Sequence, residues 1–517
     1  MNVHLSLQIL GALVLSVVLY KVLSSRRQGK PPPGPSGWPI LGSFFELPSQ
    51  FEWLYWSTYK DRYGPVSYTT VLGKRIVILN TLEACNEVLE KRSSIYSGRP
   101  NMPFAGEIVG WDQQLLLAPY GKHFRAMRKL AHHHLGTKAA AAVYFDVQEA
   151  ESKYLVARIH EDPEGIVKNL RVTIGAILLR LSHGYITRTD GNDPVINRIE
   201  VAAKDFYHAT KPGTWFVDIF PWLKHVPDWV PGAGFKLTGA KYKRTNDEQT
   251  DIPYEFVLKE MREKRALPSF TSNALQSEKL TTDEKYALKF CAAALYGGGL
   301  DTMTGATTIF FLAMVLFPEI QKKAQEELDR VIGTHRFPTI QDREHLPYIS
   351  AVQKEIYRWR TIVPLGIPHC TTEDDVYDGY FIPKDTLVIN NLWEIAHDPA
   401  NYHDAMDFKP ERFLGETPEL DPNHYVFGFG RRKCPGIEVA HSTVFIIMAT
   451  CLAAFRMENW KDEFGNEVPP RDEFVPGSVC HPKPFKCKIT PRSADALELI
   501  QSVQNEMATL DRSPSVL

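Results

Sequence analysis

The sequence predicts a mainly α-helical protein with a small β-rich lobe. Two long apolar patterns of helical type, at residues 283–316 and 437–455, support the helical part. The β-rich part rests on residues 66–71 and 75–79, which are rich in β-branched and aromatic side chains and flank a short turn. A second β-type region lies at residues 376–389. Most of the remaining chain is predicted to be helical.

Composition is that of a large globular protein. The 517 residues are 44% hydrophobic and 23% charged, which allows a sizeable core. The net charge of −2 gives no indication of a nucleic-acid partner. The seven cysteines are odd in number and show no paired spacing, so we expect free thiols in a reducing compartment.

The N-terminal segment is predicted to be a membrane anchor. Residues 5–23 are almost entirely apolar, and a helix of this length rises about 28 Å, enough to cross a bilayer core. Arg26, Arg27 and Lys30 follow, which places the downstream chain in the cytosol. A cleaved signal peptide is the alternative, but it would need positive charge before the apolar run. Residues 31–35 (PPPGP) then form a stiff spacer.

A glycine-rich loop with one cysteine precedes the second long helix. Residues 427–436 have the sequence FGFGRRKCPG. Gly428 and Gly430 allow a tight turn and close approach of a flat partner. Cys434 would lie just before a positive helix N-terminus and near Arg432, which favours thiolate over thiol. Such a thiolate suits a metal ligand or a nucleophile, whereas a lone cysteine is more often a buried structural residue.

The first long helix contains an unusual polar segment. Three consecutive glycines at 297–299 cost about 1 kcal/mol each relative to alanine in a helix interior. They are expected to let the helix bulge and to admit a flat cofactor and a small ligand. Asp301 and Thr302 follow. Burying an acid beside an alcohol in an apolar helix costs free energy, which indicates that the pair has a functional role. A packing kink with a satisfied polar pair is the alternative.

The spaced pattern Phe427-x-x-Gly430-x-Arg432-x-Cys434-x-Gly436 matches in full the haem-binding loop of the cytochrome P450 superfamily. The resemblance implies the cytochrome P450 fold and haem b (iron protoporphyrin IX) as the cofactor. It implies that Cys434 is the proximal iron ligand and that Phe427, Arg432 and Gly436 contact the haem. A thiolate ligand favours cleavage of the O–O bond of bound oxygen.

The resemblance extends to the first long helix. Its segment resembles the oxygen-activation motif of the family, with Gly298 against the haem and with Asp301 and Thr302 as catalytic residues that steer protons to bound dioxygen. The implied reaction is reductive activation of O2 followed by hydroxylation of a carbon atom.

Further haem contacts follow from the same resemblance. His369 and Arg128 would bind the haem propionates together with Arg432, and Arg99 is a weaker candidate. The family usually has a tryptophan that donates to a propionate where this chain has Phe124, so that contact is in doubt.

The resemblance also implies structural residues near the haem loop and residues that face the substrate. Glu355, Arg358 and Arg412 would lock together beneath the haem loop as structural residues. Leu365 and Ile367 would face the substrate.

Residues 215–230 are rich in large apolar side chains, among them three tryptophans and two phenylalanines, and contain two prolines. Two interpretations stay open: packed core beneath a loop, or an apolar surface that dips into the membrane.

The implied electron donor is a separate NADPH–cytochrome P450 reductase, because the chain has no nucleotide or flavin fingerprint of its own. The basic run at residues 431–433 would steer an acidic donor. Ordinary solvated charge is the alternative for that run.

The whole pattern is similar to fungal microsomal enzymes of secondary metabolism such as O-methylsterigmatocystin oxidoreductase. It predicts a single-pass protein of the endoplasmic reticulum membrane with a cytosolic catalytic domain. Its substrate would be an apolar small molecule, a terpenoid or another polycyclic compound. The predicted division is an anchor at 1–24, a basic and proline-rich hinge at 25–45, a haem-thiolate catalytic domain at 46–490 and a tail at 491–517.

Two alternatives remain from the sequence. One is a haem-thiolate isomerase or dehydratase, which would need neither O2 nor a reductase; Asp301 and Thr302 argue against it. The other is a non-catalytic haem-binding protein.

Overall fold

Helices dominate the described chain, which covers residues 29–188, 192–277, 279–509 and 515 of a computed structural model. The α-helices of this part are α1 (Glu52–Tyr63), α2 (Leu82–Cys85), α3 (Lys122–Leu135), α4 (Lys138–Ala142), α5 (Phe145–Glu161), α6 (Ile166–His183), α7 (Pro194–Thr210), α8 (Phe216–Ile219), α9 (Phe235–Arg262), α10 (Phe270–Ser277), α11 (Thr282–Leu316), α12 (Pro318–Val331), α13 (Pro347–Trp359), α14 (Leu392–His397), α15 (Ile437–Ala454) and α16 (Ala494–Thr509). The strands are β1 (Val66–Val71), β2 (Lys74–Leu79), β3 (His369–Cys370), β4 (Asp375–Tyr377), β5 (Tyr380–Ile382), β6 (Leu387–Asn390), β7 (Phe455–Lys461), β8 (Glu467–Val468), β9 (Phe474–Val475), β10 (His481–Pro482) and β11 (Cys487–Pro491). The mainly helical prediction is confirmed.

Helix α11 is the centre of the helical body and packs against α3, α6 and α15. It begins at a capping box, in which the side chains of Thr281 and Glu284 each bond the backbone N–H of the other. Within the described residues, α11 and α15 are the helices long and apolar enough to cross a membrane. Of the most apolar window in each, 78% is buried inside the fold, so both serve here as core helices.

The β-rich lobe is built on a four-stranded sheet with the order β1-β2-β6-β3. Strands β1 and β2 form the predicted antiparallel hairpin, and β6 pairs with β2 in parallel and with β3 in antiparallel. The predicted β-type region at 376–389 divides into β4, β5 and β6, of which only β6 joins this sheet. The lobe packs beside the helical body and brings β3 and β6 to the site described below.

The described part of the hinge is docked on the β-rich lobe. The carbonyl of Lys30 accepts from the Phe381 N–H, and that of Pro33 accepts from the Tyr68 N–H, each at 2.8 Å. A side chain at Gly34 would overlap the Tyr68 carbonyl, so this close approach requires glycine. The predicted stiff spacer therefore lies along β1. The predicted anchor falls outside the described residues.

The C-terminal tail, which the sequence left unassigned, contributes a helix to the body. Ile500 and Val503 of α16 are buried in the main hydrophobic core. The Tyr154 hydroxyl of α5 donates to Glu506 at 2.9 Å. This packing ties the described tail to the helical body.

Glu355, Arg358 and Arg412 form the predicted ion-pair network. Glu355 and Arg358 are fully buried, and their side chains form two hydrogen bonds of 2.7 and 2.8 Å. Arg412 Nε donates to Glu355 at 3.2 Å. Arg358 also donates to three backbone carbonyls, so it ties α13 to the segment that leads towards the cysteine loop.

Candidate active site

A largely apolar cavity of about 400 Å³ lies between α11 and the loop before α15. Every residue that the sequence singled out for catalysis, cofactor contact or metal binding lines it: Arg128, Gly298, Asp301, Thr302, His369, Phe427, Arg432, Cys434 and Gly436. The fold thus brings together residues that are as far apart as α3 and α15 in the chain.

The cysteine loop is held in a tight conformation. Cys434 donates its backbone N–H to the Phe427 carbonyl at 2.8 Å. Gly428 and Gly430 have φ angles of +77° and +54°, which other residues rarely adopt. A side chain at Gly430 would also overlap the carbonyl of Leu89. The predicted need for glycine at both positions is confirmed.

Cys434 is a free thiol, like the other six cysteines of the chain, and is accessible from the cavity. Burial among protein atoms raises its pKa, while a hydrogen bond from the Gly436 N–H and the charge of Arg128 act in the opposite direction. Burial is the largest of these effects, so the loop alone does not lower the pKa of the thiol. The opposing charge is also that of Arg128, and not of Arg432. A bound metal cation would deprotonate the thiol directly.

Three arginines face the cavity without an anionic partner. Arg99, Arg128 and Arg432 donate to backbone carbonyls, including those of Lys433 (2.6 Å from Arg128) and Ala118 (2.7 Å from Arg432). None of them forms an ion pair with a carboxylate in the described part of the chain. Burial lowers the pKa of all three. Repulsion from Arg432 further lowers that of Arg99, and repulsion from Arg128 helps to lower that of Arg432 to about 9. A ligand with negative groups would offset the repulsion between these buried positive charges.

Phe124 has a role other than that of the expected tryptophan. It is buried, and the Arg432 guanidinium lies 3.8 Å from the centre of its ring. This contact is a cation–π interaction, which places the guanidinium in the cavity wall. Phe124 cannot itself donate a hydrogen bond, but its ring positions the Arg432 guanidinium, which can.

The protonation state of His369 differs from the one that donation to a haem propionate, its predicted role, would require. Its Nδ1 lies 2.7 Å from the Tyr96 carbonyl, which can only accept, so Nδ1 carries the proton. Burial and then the charge of Arg99 lower its pKa to about 3. The imidazole is therefore neutral, and Nε2 is an acceptor. His369 could donate to a propionate only if the negative charge of the ligand raised the imidazole pKa enough for Nε2 to take up a proton.

The glycine run provides open space and no bulge. Helix α11 continues as a regular α-helix through residues 297–299, so the predicted bulge is absent. An added Cβ at Gly297 or Gly298 would meet no atom within 4 Å, and both glycines line the cavity. Gly299 instead packs against Leu178. The run admits a flat group because the space beside Gly297 and Gly298 is open.

Asp301 is held by three partners that the sequence did not reveal. Its Oδ1 accepts from Arg171 at 2.9 Å, and its Oδ2 lies 2.5 Å from the Tyr207 hydroxyl and 3.1 Å from His481 Nε2. Burial alone would raise its pKa, but the partners, led by His481, lower it to about 2. Gly305, one turn along α11, lies against the His481 ring. Asp301 is therefore an ionised carboxylate at the junction of α6, α7, α11 and β10.

The loop between α13 and β3 presents only one of its two predicted substrate-facing residues. Ile367 lines the cavity, whereas Leu365 packs in a cluster with Ile389 beneath the sheet. Gly366 between them has a φ of +59°, which turns the chain. The prediction for Leu365 is wrong for this reason.

The residues present fit haem b. Cys434 offers a sulfur ligand, and the three arginines without carboxylate partners suit the two propionates of the porphyrin. The open face at Gly297 and Gly298 leaves room above a flat ring system. Charge, ligand type and space therefore agree with the cofactor that the loop pattern implies.

Comparisons with known proteins agree with this site. The family profile described as Cytochrome P450 matches residues 32–489. Cytochrome P450 monooxygenase claR of Ampulloclitocybe clavipes is 50% identical, covering 93% of this chain and 90% of the relative. Cytochrome P450 monooxygenase 208 of Postia placenta is 42% identical, covering 95% and 97%. The multifunctional cytochrome P450 monooxygenase af510 of Aspergillus fumigatus is 34% identical, covering 95% and 94%. The protein therefore belongs to the cytochrome P450 family and is a haem b-dependent monooxygenase.

Proposed function

We propose that this monooxygenase hydroxylates an apolar small molecule of secondary metabolism, a terpenoid or another polycyclic compound. The observation that carries the proposal is that Cys434, Asp301 and Thr302 line one largely apolar cavity. The wall between them is built from aliphatic and aromatic side chains, including those of Leu117 and Phe206. Such a wall binds a substrate through burial of apolar surface.

Cys434 would hold the haem iron, and Arg99, Arg128 and Arg432 would hold the propionates. When bound, the haem supplies the activation of O2, and a thiolate ligand favours cleavage of the O–O bond. The bond from the Cys434 N–H to the Phe427 carbonyl orients the sulfur before the cofactor binds. The backbone bonds of the arginines fix their guanidinium groups in the same way.

Thr302 and Asp301 would handle protons. The Thr302 hydroxyl lines the cavity and donates to the Gly298 carbonyl at 2.9 Å. A hydroxyl can accept one proton while it gives another, so Thr302 suits the last position of a relay. Asp301, with a pKa of about 2, stores no proton near neutral pH. It would instead orient His481, whose side chain is 27% exposed and would carry protons from solvent.

The chain would be anchored in the endoplasmic reticulum membrane through residues 5–23, with its catalytic domain in the cytosol. Exposed aromatic side chains support a second membrane contact. Within the segment 215–230, Phe216 is 71% exposed and Trp229 is 82% exposed. Trp215 instead stacks on Phe104 in the body, which supports the packed-core interpretation for that residue, whereas the exposed rings support the membrane interpretation.

Electrons would come from an NADPH–cytochrome P450 reductase. The ring of Tyr120 lies between Arg125 and Arg431, at 5.7 and 5.2 Å from their guanidinium carbons. Lys433 is exposed beside them. This basic surface, next to the cysteine loop, suits an acidic electron donor.

The proposal is tested by product profiling. A host that expresses the gene beside its genomic neighbours should form a compound with one added oxygen atom, and labelled O2 should supply that atom. The reaction of purified protein should require NADPH and the reductase. Turnover without NADPH, to a product isomeric with its substrate, would contradict the proposal and favour a haem-thiolate isomerase.

A further inference from the structure

Asn390 is a buried amide without a hydrogen-bond partner. It is 1% exposed and lines the cavity. Its Oδ1 has no hydrogen-bond partner in the described part of the chain. The wall of this cavity is largely apolar and includes Ile362, Val363 and Leu392. An unpaired amide in such a wall costs free energy, because it loses water and gains nothing in exchange.

The other buried polar side chains of the wall either have partners or are explained by packing. The Gln114 amide donates to Asn246 at 2.8 Å, and the Gln249 amide donates to the same oxygen at 3.1 Å. Trp111 has an unpaired Nε1, but its ring packs against Phe206, and packing explains its presence. Asn390 has no apolar ring to pack, so packing alone does not explain it.

The position of Asn390 is set by the sheet. Strand β6 ends at Asn390, and His369 of β3 pairs with Val388 in antiparallel register. Continuing this register places Asn390 opposite Ile367, which also lines the cavity. A side chain at Gly366 would overlap the Asn390 amide, so glycine at 366 leaves the space that the amide occupies. None of the three cavity arginines bonds it.

We propose that Asn390 is a substrate subsite that hydrogen-bonds a hydroxyl or carbonyl oxygen on an otherwise apolar substrate. The inference rests on the proposed function, because it assigns a polar group to the substrate of the same cavity. An amide can donate to a carbonyl and can exchange both kinds of bond with a hydroxyl. The preferred substrate is therefore already oxygenated, and the class of reaction that supplies it is an oxygenation or the hydration of a carbocation.

The test measures the binding of matched pairs that differ by oxygen. The pairs are adamantane and 1-adamantanol, cedrane and cedrol, and 5α-androstane and 5α-androstan-3-one, each titrated against the spin-state shift of the ferric haem in the full-length holoenzyme. For at least one pair, the preference for the oxygenated member should fall by about 5- to 150-fold in Asn390→Leu, the equivalent of about 1–3 kcal/mol for a polar partner left unpaired. Asn169→Leu is the matched control, since Asn169 is buried on α6 and does not line the cavity. It should keep the native preference.

Each other outcome has a definite meaning. An unchanged preference in Asn390→Leu would overturn the subsite and leave the proposed function standing. If no member of any pair shifted the haem spectrum, the proposed apolar substrate class would fail, and the subsite with it. Loss of haem from Asn390→Leu would make the residue part of the cofactor cradle and overturn the subsite as well.

A second measurement is independent of any ligand. Asn169 is paired: its Nδ2 donates to the carbonyls of Arg158 at 3.4 Å and Asp162 at 3.2 Å. Its replacement by leucine should lower the thermal unfolding midpoint, whereas Asn390→Leu should leave the midpoint unchanged or raise it. Equal losses in the two variants would show that the Asn390 amide is satisfied within the protein and would overturn the inference.

Discussion

Replacing Glu355 by glutamine tests whether the buried ion-pair network holds the fold around the cysteine loop. The Glu355 carboxylate accepts hydrogen bonds from Arg358 Nε (2.7 Å), Arg358 Nη2 (2.8 Å), Arg412 Nε (3.2 Å) and the Lys409 backbone N–H (2.7 Å). A glutamine keeps the shape but has one acceptor atom, and its NH2 group would face donors. Arg358 would then be a fully buried cation without a carboxylate, whereas Arg412 would keep Glu419 at 2.5 Å.

The expected loss is about 3–5 kcal/mol of unfolding free energy, the usual cost of removing one member of a buried ion pair. That is a large part of the roughly 5–15 kcal/mol available to a folded protein. Urea unfolding of the full-length holoenzyme, followed by circular dichroism and tryptophan fluorescence, measures it. The control is Lys323→Ala, which breaks a 2.6 Å pair with Glu411 whose members are about half exposed and which should lose at most about 1 kcal/mol. A loss for Glu355→Gln no larger than that of the control would refute the reasoning.

Four further predictions concern the cavity. Cys434→Ser should abolish the thiolate-type carbon-monoxide spectrum, and its survival would remove the ligand assignment. Arg432→Ala should weaken haem retention about tenfold or more, since a charge-assisted bond to a propionate is worth about 1.5–3 kcal/mol; unchanged haem content after dilution would contradict this. Thr302→Ala should increase peroxide release per NADPH consumed several-fold, and unchanged coupling would argue against a proton relay. The partners of Asp301 hold its pKa at about 2, below the model-peptide value of 3.8. Its ionisation therefore stabilises the fold above about pH 4, and this stabilisation is lost as the pH falls through 2. Asp301→Asn should therefore lose about 2 kcal/mol at pH 6 and progressively less towards pH 2 in chemical unfolding, and a pH-independent difference would count against it.

Local patterns predicted the elements well, because period, glycine content and cysteine context are properties of neighbouring residues. The hairpin of β1 and β2, the limits of α11 and the tight loop before α15 were all predictable within one residue. The hydrogen-bond partners of Asp301 could not be predicted from the sequence. Arg171, Tyr207 and His481 are 130, 94 and 180 positions away, and nothing in their own surroundings marks them. Such contacts arise only when α6, α7 and β10 close over α11.

The sequence by itself determined which chemical groups the site contains: a cysteine in a glycine-rich loop, an acid–alcohol pair after open glycines, and basic residues spread along the chain. Only the tertiary structure decided their protonation states. Asp301 is ionised, His369 is neutral and the pKa of the Cys434 thiol is raised, the last against the expectation from local sequence. The physical reason is that a pKa depends on burial and on charges within a few ångströms, and those neighbours come from distant parts of the chain.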